Sequence, residues 1–425
     1  MQIADYKKIN ERLITETLPN GLTIKIVPRP DYNKCYAMFA TDYGGADRRF
    51  KLGGKWLDTP AGVAHFLEHK MFDMPYGNAL SVLSSNGASP NAFTGSGMTA
   101  YHFECTQLFY ENLDVLLEFV STPYFSAESV SKEQGIIGQE IRMIEDSPDF
   151  IIYNNLLRSL YLVNPVRDSV AGSVESIAEI TEKTLNDCHR VFYNPSNMAL
   201  AVVGNADPEK IIEAARKILP AEPGERPERD YGVEPSPLPN RREIAVDMEV
   251  SAPLFLLGCA FPPENGRARL KQLLTAELTL RMLFGRSSPL FTDLYAEGLL
   301  NGGFDYETDF TAGTAMAIVG GESRDVPAVL ARINSHLSSM ITGGVDPELF
   351  GRSKKALYGS QLRLLGSFSA LSQSLVTGVF SDFNPLDAFD LIDEVTQGDV
   401  SGFIASHLTE EKTAVSILNP LGEIE

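Results

Sequence analysis

The sequence predicts an α+β protein built from two similar halves. Short extended runs alternate with longer stretches of helical periodicity along most of the chain. Near the middle, residues 220–240 are rich in proline, glycine and charge and have no regular period, which is typical of a linker stiffened by proline. We therefore divide the 425 residues into domain 1 (1–219), the linker (220–240) and domain 2 (241–425).

Domain 1 is predicted to mix strands with longer helices. The predicted strands span residues 22–27, 36–43, 99–105 and 198–203. The predicted helices span residues 61–72, 108–120, 126–144 and 208–218. Thr59 is predicted to cap the first of these helices, with Pro60 at its first position, because proline loses no helical hydrogen bond there.

Domain 2 repeats this mixture. Its extended runs are residues 255–260 and 315–320, and its helical periods lie near 270–283 and 327–341. Two phrases of domain 1 have counterparts here: residues 177–185 resemble 392–400, and residues 125–130 align with 345–350 at the start of a long helix. We interpret domain 2 as a duplicate of domain 1, with chance similarity between amphipathic helices as the alternative.

The most informative motif is H-x-x-E-H at residues 65–69, a known zinc-binding pattern. On a helix, His65 and His69 stand one turn apart on one face, and Glu68 lies beside them. This arrangement offers a metal two imidazole ligands and a neighbouring carboxylate that can accept a proton from bound water. The alternative, two solvated histidines on a surface helix, is weakened by apolar neighbours such as Phe66 and Leu67.

A third ligand must come from elsewhere in the chain, because a catalytic zinc has three protein ligands. The best candidate segment contains Glu133 and Glu140, which are seven residues apart and therefore share a helix face. Isoleucines around them indicate a largely covered helix. In the register of the duplication these glutamates correspond to Ser353 and Ser360, so domain 2 is predicted to have lost the metal site.

Composition and charge argue against several classes of protein. A net charge of −20 argues against a nucleic-acid partner, because phosphate binding needs a basic face. No apolar run approaches the roughly 18 residues of a membrane span, and the N-terminus lacks the apolar core of a secretory signal. The four cysteines are scattered without a C-x-x-C pair, which indicates free, mostly buried thiols. We expect a cytoplasmic protein.

The order of these motifs resembles the pitrilysin/insulinase family of zinc peptidases, and within it the branch that contains mitochondrial processing peptidase and its bacterial relatives. The surroundings of residues 65–72 are most similar to bacterial cytoplasmic members that work as two-chain proteases. Besides H-x-x-E-H and E-x6-E, the likeness extends over most of the chain through short phrases at residues 44–45, 91–94, 99–101, 164–165, 171–177 and 192–198.

The resemblance implies a zinc-dependent endopeptidase that cleaves short or unfolded peptides. Carried over by position, His65, His69 and Glu140 are ligands of one Zn²⁺ per chain. Glu68 is then the general base, and Glu133 is a second catalytic carboxylate close to the metal. The resemblance also implies that each half is an antiparallel sheet packed with helices, and that the two halves face each other as half of a clam-shell.

Asn91, Ala92 and Phe93 are predicted to bind the substrate. Pro90 beside them suits an edge strand, where one missing hydrogen-bond donor is tolerated. An edge strand near the metal can pair with an extended peptide through backbone hydrogen bonds, and the resemblance points to the same segment. The alternative is an ordinary strand that leads into the Gly95-Ser96-Gly97 turn.

Domain 2 departs from the family pattern at residues 287–300. Active single-chain relatives carry here an arginine and a tyrosine that reach the substrate carbonyl, whereas Tyr295 stands at the arginine position and no tyrosine follows Leu299. The resemblance therefore implies a heterodimer with a homologous chain that supplies the missing pair. Two alternatives stay open: a self-sufficient monomer or homodimer with donors such as Tyr306 or Arg324, and, less favoured, a non-catalytic structural or peptide-binding subunit.

Overall fold

A computed structural model of the chain describes residues 1–422. These residues form two compact units, and neither unit is continuous in sequence. Unit 1 comprises Met1–Ile141, Ser169–Tyr231 and Leu362–Leu386, and unit 2 comprises Arg142–Asp168, Gly232–Gln361 and the chain from Asp387 onward. Each unit contains one main β-sheet packed with helices, which agrees with the predicted α+β class and with two sheet-containing domains.

The elements are numbered in chain order. The strands are β1 (Gln2–Tyr6), β2 (Glu11–Thr17), β3 (Thr23–Pro28), β4 (Cys35–Thr41), β5 (Arg49–Leu52), β6 (Lys55–Asp58), β7 (Asp73–Met74), β8 (Gly77–Asn78), β9 (Ser89–Thr94), β10 (Thr99–Cys105), β11 (Met198–Gly204), β12 (Glu243–Met248), β13 (Leu254–Phe261), β14 (Asp305–Thr311), β15 (Thr314–Glu322) and β16 (Thr413–Pro420). The helices are α1 (Val63–Met71), α2 (Ala79–Ser85), α3 (Phe109–Ser121), α4 (Ala127–Glu145), α5 (Pro148–Leu160), α6 (Val174–Ala178), α7 (Glu182–Phe192), α8 (Pro208–Ile218), α9 (Gly266–Phe284), α10 (Pro289–Ala296), α11 (Val326–Gly343), α12 (Pro347–Leu365), α13 (Phe368–Phe380), α14 (Ala388–Glu394) and α15 (Gln397–His407).

The two main sheets have the same core topology. The sheet of unit 1 runs β1-β2-β3-β11-β4-β10-β9, and the sheet of unit 2 runs β12-β16-β13-β15-β14. Both are antiparallel, as expected, except for one parallel pair each: β3 with β11 and β12 with β16. Beyond that parallel pair, each sheet continues through three antiparallel pairings, and the last of them joins the edge strand, β9 or β14. This correspondence is what a duplicated domain requires.

Each sheet is covered by a helix from the other half of the sequence. Helix α5 belongs to unit 2 and packs on β13 and β16. Leu156 and Leu160 of this helix share a cluster with Ala414 of β16, and Leu256 and Ala260 of β13 pack against that cluster. Helix α13 belongs to unit 1 and packs on β4 and β11. The contiguous domains expected from the sequence, 1–219 and 241–425, do not anticipate this exchange.

The first helix starts later than the sequence indicated. Helix α1 begins at Val63, so the prediction of Thr59 as its cap and Pro60 as its first residue is wrong. Thr59 instead pairs through its backbone N–H and its hydroxyl with the carbonyl of Arg48. The residue before the helix is Gly62, whose φ of 95° lies in the left-handed region that favours glycine.

The proline-rich linker is anchored in both units. In unit 1, the Arg229 side chain forms ion pairs with Asp42 and Asp47, and Tyr231 donates a hydrogen bond of 2.7 Å to Asp47. In unit 2, the Glu234 carboxylate accepts the backbone N–H groups of residues 162–164 at 2.7 to 3.0 Å. The boundary between the units falls between these two anchors, after Tyr231.

Two further expectations concern the thiols and membrane association. Cys35, Cys105, Cys188 and Cys259 are all buried and free, as predicted. Among residues 1–422, no helix has the length and apolar character needed to span a bilayer.

Candidate metal centre

Helix α1 is held in place by its apolar residues and by a close contact at its start. Val63, Phe66, Leu67 and Met71 are buried, and the helix packs against β9, β10 and α7. A Cβ added at Gly62 would lie 2.6 Å from the carbonyl oxygen of Ala171, so the chain before the helix requires glycine for space as well as for φ. This packing leaves the polar side of the helix facing α4.

The structure brings His65, His69 and Glu140 together. Nε2 of His65 lies 3.6 Å from Oε1 of Glu140, and Nε2 of His69 lies 3.6 Å from Oε2 of the same carboxylate. One ligand atom from each residue can be chosen so that all lie within 4.8 Å of one another, the one such group of three or more in residues 1–422. Two ligands of a tetrahedral zinc, each at about 2.1 Å, are about 3.4 Å apart, so the spacing and the nitrogen and oxygen donors fit Zn²⁺.

Glu133 lies beside this group and contacts the other nitrogen of a histidine. Its Oε1 is 3.1 Å from Nδ1 of His69, which leaves Nε2 of that ring turned towards Glu140. The hydrogen bond with His69 lowers the pKa of Glu133. The Lys70 ammonium lies 3.8 Å from Oε2 of Glu133 and pairs with Asp73, although this lysine is 1% exposed. Glu133 therefore contacts one of the candidate ligands and lies outside the candidate ligand group.

The pKa values of the two histidines are shifted in opposite directions. Burial lowers the pKa of His65 to about 4, so its imidazole is neutral near pH 7 and can donate a lone pair to a metal. Its Nδ1 is buried with no hydrogen-bond partner. Burial also lowers the pKa of His69, but the hydrogen bond to Glu133 and the neighbouring carboxylates raise it above the ordinary value.

Glu68 is almost fully buried beside the ligand group. Burial raises its pKa, and a hydrogen bond of 2.7 Å from the Thr94 hydroxyl to Oε2 opposes that rise. The Thr99 hydroxyl lies 3.4 Å from that of Thr94 and donates to the backbone carbonyl of Tyr43, which fixes its position beside Thr94. A carboxylate whose pKa is raised from its ordinary value towards neutrality is suited to accept and return a proton.

The predicted substrate-binding residues lie on an edge strand, as predicted. Strand β9 pairs with β10 and ends the sheet of unit 1, and helix α1 packs against it. Asn91 is exposed, whereas Ala92 and Phe93 are partly buried. The exposed backbone N–H of Ala92 donates to the Asn91 side chain at 2.8 Å. The strand therefore has at least one donor that a second extended chain can take over.

The stretch that departs from the family pattern lies in unit 2. Tyr295 is 55% exposed and stacks on Phe291 near the end of α10. The alternative donors are also in this unit: Tyr306 is half-buried on β14, and Arg324 donates to the backbone carbonyl of Glu297 at 3.0 Å. None of these contacts replaces the arginine and tyrosine whose absence was noted in the sequence.

Two residues with evident roles were not identified from the sequence. Thr94 contacts Glu68 across 26 residues of chain, and Lys70 contacts Glu133 across the longer separation from position 70 to position 133. Thr94 was noted only as part of the phrase that follows the metal motif. A burial pattern could have drawn attention to Lys70, because it follows the motif on the apolar side of a helix.

Comparisons with known proteins identify the family. Residues 54–174 match the description "Insulinase (Peptidase family M16)", and residues 179–357 match "Peptidase M16 inactive domain". The chain is 36% identical over 427 residues to the uncharacterized zinc protease YmfH of Bacillus subtilis, with 98% of both proteins covered. The chain belongs to peptidase family M16.

Further comparisons support the fold of this M16 chain. A crystal structure of a putative M16-like peptidase from Alicyclobacillus acidocaldarius superposes with a TM-score of 0.93, at 34% identity, over 97% of this chain and 99% of that one. A probable mitochondrial-processing peptidase subunit beta from Arabidopsis thaliana is 24% identical over 208 residues, which cover 48% of this chain and 38% of that protein. The first family match contains residues 65–69 and both candidate glutamates.

Proposed function

We propose that this M16 chain is a zinc-dependent endopeptidase that cleaves short or unfolded peptides. The observation that carries the proposal is the meeting of His65, His69 and Glu140, whose ligand atoms lie within 4.8 Å of one another beside the buried carboxylate of Glu68. The name of the Bacillus relative, a zinc protease, supports zinc as the metal. The proposed stoichiometry is one Zn²⁺ per chain.

The work of the chain's own residues follows from their contacts. When bound, zinc supplies Lewis-acid polarisation of a carbonyl oxygen and makes a water molecule more acidic. Glu68 accepts the proton of the attacking water at Oε1, because Oε2 already accepts the Thr94 hydroxyl. As the peptide C–N bond breaks, Glu68 passes that proton to the leaving amine. Glu133 keeps the His69 ring oriented through its hydrogen bond to Nδ1.

Substrate binding is assigned to strand β9. An extended peptide added at this edge gains backbone hydrogen bonds that do not depend on its side chains. Asn91, Ala92 and Phe93 form the middle of the strand, and Thr94 at its end holds Glu68. Peptide pairing and the general base thus share one strand, which supports a broad preference for extended or unfolded peptides.

We further propose that the active enzyme is a heterodimer in which this chain is the zinc-bearing subunit. Residues 287–300 lack the arginine and tyrosine that stabilise the carbonyl oxygen in single-chain relatives. Loss of one such donor typically costs about 10²- to 10³-fold in rate, so a second chain must supply the pair. A relative whose name identifies it as a subunit, the mitochondrial-processing peptidase beta chain, supports this assembly.

Replacement of Glu68 by glutamine tests the mechanism. We expect Glu68→Gln to retain zinc and fold, because the amide has the same size and still accepts the Thr94 hydroxyl. Cleavage of a fluorogenic peptide should fall by at least about 10²-fold, because the amide cannot accept the proton. The measurement is turnover by the complete active form, together with metal content.

Glu128→Gln is the matched control, since it removes an equally charged but exposed side chain on α4. This control should cleave at the wild-type rate. Cleavage by Glu68→Gln at close to that rate would exclude Glu68 as the base, whereas loss of zinc from the variant would mean that Glu68 holds the metal.

A further inference from the structure

A cavity of about 320 Å³ in unit 2 is lined by three arginines. They are Arg281 on α9, Arg286 just after that helix, and Arg352 on α12. Asp305 is the one acidic residue in the lining of this cavity. A cavity with three guanidinium groups against one carboxylate contrasts with a chain whose net charge is −20.

The cavity occupies the place in unit 2 that the metal ligands occupy in unit 1. Its edge strand β14 corresponds to β9, and α9 packs on β14 as α1 packs on β9. Helix α12 carries Ser353 and Ser360 at the positions that align with Glu133 and Glu140. The Arg281 guanidinium donates to the Ser360 hydroxyl at 3.1 Å. Where one copy of the domain holds carboxylates for a cation, the other holds cationic groups.

The guanidinium groups have donors to spare. Nη2 of Arg281 contacts Glu277 at 3.4 Å as well as Ser360, but among residues 1–422 the buried Nε of Arg281 has no hydrogen-bond partner. Arg286 and Arg352 donate to backbone carbonyl oxygens, and within residues 1–422 neither pairs with a carboxylate. A buried unpaired donor is unfavourable in an empty protein and becomes favourable when an anion binds.

We propose that this cavity binds the C-terminal carboxylate of a peptide. A planar guanidinium matches a carboxylate through two parallel hydrogen bonds. The partly buried Tyr306 and the exposed Ala356 line the same cavity, and their accessible apolar atoms form a surface for the side chain of the terminal residue. A free phosphate ion could use the arginines but not this surface. The proposal rests on the proposed function in one respect, that peptides are the ligands of this protein.

Direct binding to the full chain tests the proposal without any cleavage. The probe is an acetylated, fluorescently labelled short peptide that ends in phenylalanine, with either a free carboxylate or an amide at its C-terminus. The Glu68→Gln chain is used so that the probe stays intact. We expect the free acid to bind about tenfold or more tightly than the amide, because charge-assisted hydrogen bonds to arginine are lost in the amide.

The double variant Arg286→Ala/Arg352→Ala should lose this preference, and both side chains are exposed enough for the fold to persist. The matched control is Arg267→Ala/Arg332→Ala, which removes the same charge from exposed pairs with Glu394 and Glu297 outside the cavity. Its preference should equal that of the parent chain.

Three results would overturn the proposal: equal affinity for acid and amide, the same preference in both double variants, or displacement of the free acid by inorganic phosphate at a concentration equal to the peptide's. A complete active form, with the partner chain present, that cleaves no peptide while this chain retains the arginine-dependent preference would contradict the proposed function and leave this site standing.

Discussion

Glu133 and Glu140 share a face of α4, yet their carboxylates contact different nitrogen atoms. Glu140 lies 3.6 Å from Nε2 of both His65 and His69, whereas Glu133 lies 3.1 Å from Nδ1 of His69. A metal bound by the Nε2 atoms would therefore be in direct reach of Glu140. Glu133 would affect that metal only indirectly, through the imidazole ring of His69. The two glutamates are predicted to differ in what their removal does.

Glu140→Ala should sharply reduce the zinc retained after dialysis, because two histidines alone lack the third anchor of the site. Glu133→Ala should keep close to one zinc per chain and lower cleavage by about 10- to 100-fold, as expected when a partner of a ligand is lost. Metal analysis by mass spectrometry and the peptide assay measure the two effects.

Glu133→Gln provides the milder companion, because an amide oxygen can still accept the His69 Nδ1–H. It should recover part of the activity lost in Glu133→Ala. Zinc lost from Glu133→Ala and retained in Glu140→Ala would mean that the roles of the two glutamates are exchanged.

At the scale of single residues, the sequence predicts contacts between residues that are close along the chain. It does not predict contacts between residues that meet across the fold. H-x-x-E-H can be recognised because one helical turn separates His65 from His69. Thr94 could not be assigned to Glu68, because a threonine at the end of a strand has no pattern that indicates its partner. The same limit applied to Thr59, which the sequence predicts as a helix cap and which instead pairs with Arg48.

At the scale of elements, β9 combines an exposed edge with a helix that carries the metal ligands. Successive backbone N–H groups of an extended strand point to opposite sides, so an added peptide offers every second N–H to β9. The N–H of Ala92, now bonded to the Asn91 side chain, is a donor for the carbonyl of such a peptide.

N-methylation of the peptide tests this mode of binding. Methyl groups at every second residue should weaken competition with a fluorogenic substrate by about tenfold each, because each removes one hydrogen bond and blocks close approach. Methyl groups at the intervening residues should have little effect. A set of singly methylated inhibitors of one sequence provides the measurement, and equal effects at all positions would exclude strand pairing.

The contact between α7 and α3 leads to a prediction about how the stability of unit 1 depends on pH. Nε2 of His189 lies 3.2 Å from the Val120 carbonyl oxygen, and burial lowers the pKa of His189 from 6.5 to about 4. The unfolded chain thus binds the proton more tightly than the folded one. The neutral His189 therefore contributes to the free energy of unfolding, and this contribution is complete above pH 6.5. As the pH falls towards 4 the contribution is lost, which lowers the free energy of unfolding by on the order of 3 kcal/mol.

His189→Gln keeps a donor for the Val120 carbonyl and removes the titration. The free energy of unfolding of the variant should depend less on pH between 6.5 and 4 than that of the metal-free wild type. Trp56, the single tryptophan, lies in unit 1 with His189, so its fluorescence during urea unfolding reports on the correct unit. Identical pH dependence of the two proteins would contradict the assignment to His189.

The bounds of some elements followed from periodicity, but the packing partners of the helices did not. The predicted helix 208–218 and strand 99–105 coincide with α8 and β10. An amphipathic period shows which face of a helix is buried and carries no information about which sheet buries it. The placement of α5 on the sheet of unit 2 and of α13 on that of unit 1 could therefore not be predicted.

At the scale of the whole molecule, duplication has produced two copies of one fold with different chemistry. Both main sheets keep the same strand order from the parallel pair to the edge strand. Within residues 1–422, His65, His69 and Glu140 are the one group of side chains placed to hold a metal. The corresponding place in unit 2 is lined by arginines. One chain thus offers a single candidate catalytic centre.

The proposed heterodimer rests on what residues 287–300 lack. Residues 287–300 provide no arginine and tyrosine for the carbonyl oxygen, and Tyr295 is exposed on α10. A homologous chain that has this pair but lacks H-x-x-E-H would complete the site. A self-sufficient enzyme would need Tyr306 or Arg324 in that role, and a structural subunit would need no zinc at all.

The purified chain separates these three possibilities. Alone, it should be folded and contain one zinc. It should cleave fluorogenic peptides more slowly than the two-chain complex by a factor of about 10² or more, because the donors to the carbonyl oxygen are missing. Addition of the homologous chain should restore cleavage in proportion to the complex formed, as measured by size-exclusion chromatography. Replacement of the arginine in that partner chain should abolish the gain in cleavage, and Glu68→Gln in this chain should abolish it equally.

Two other results would contradict the heterodimer. Full activity of the isolated chain that is lost on replacement of Tyr306 or Arg324 would establish a self-sufficient enzyme. A folded chain without zinc would indicate the structural role.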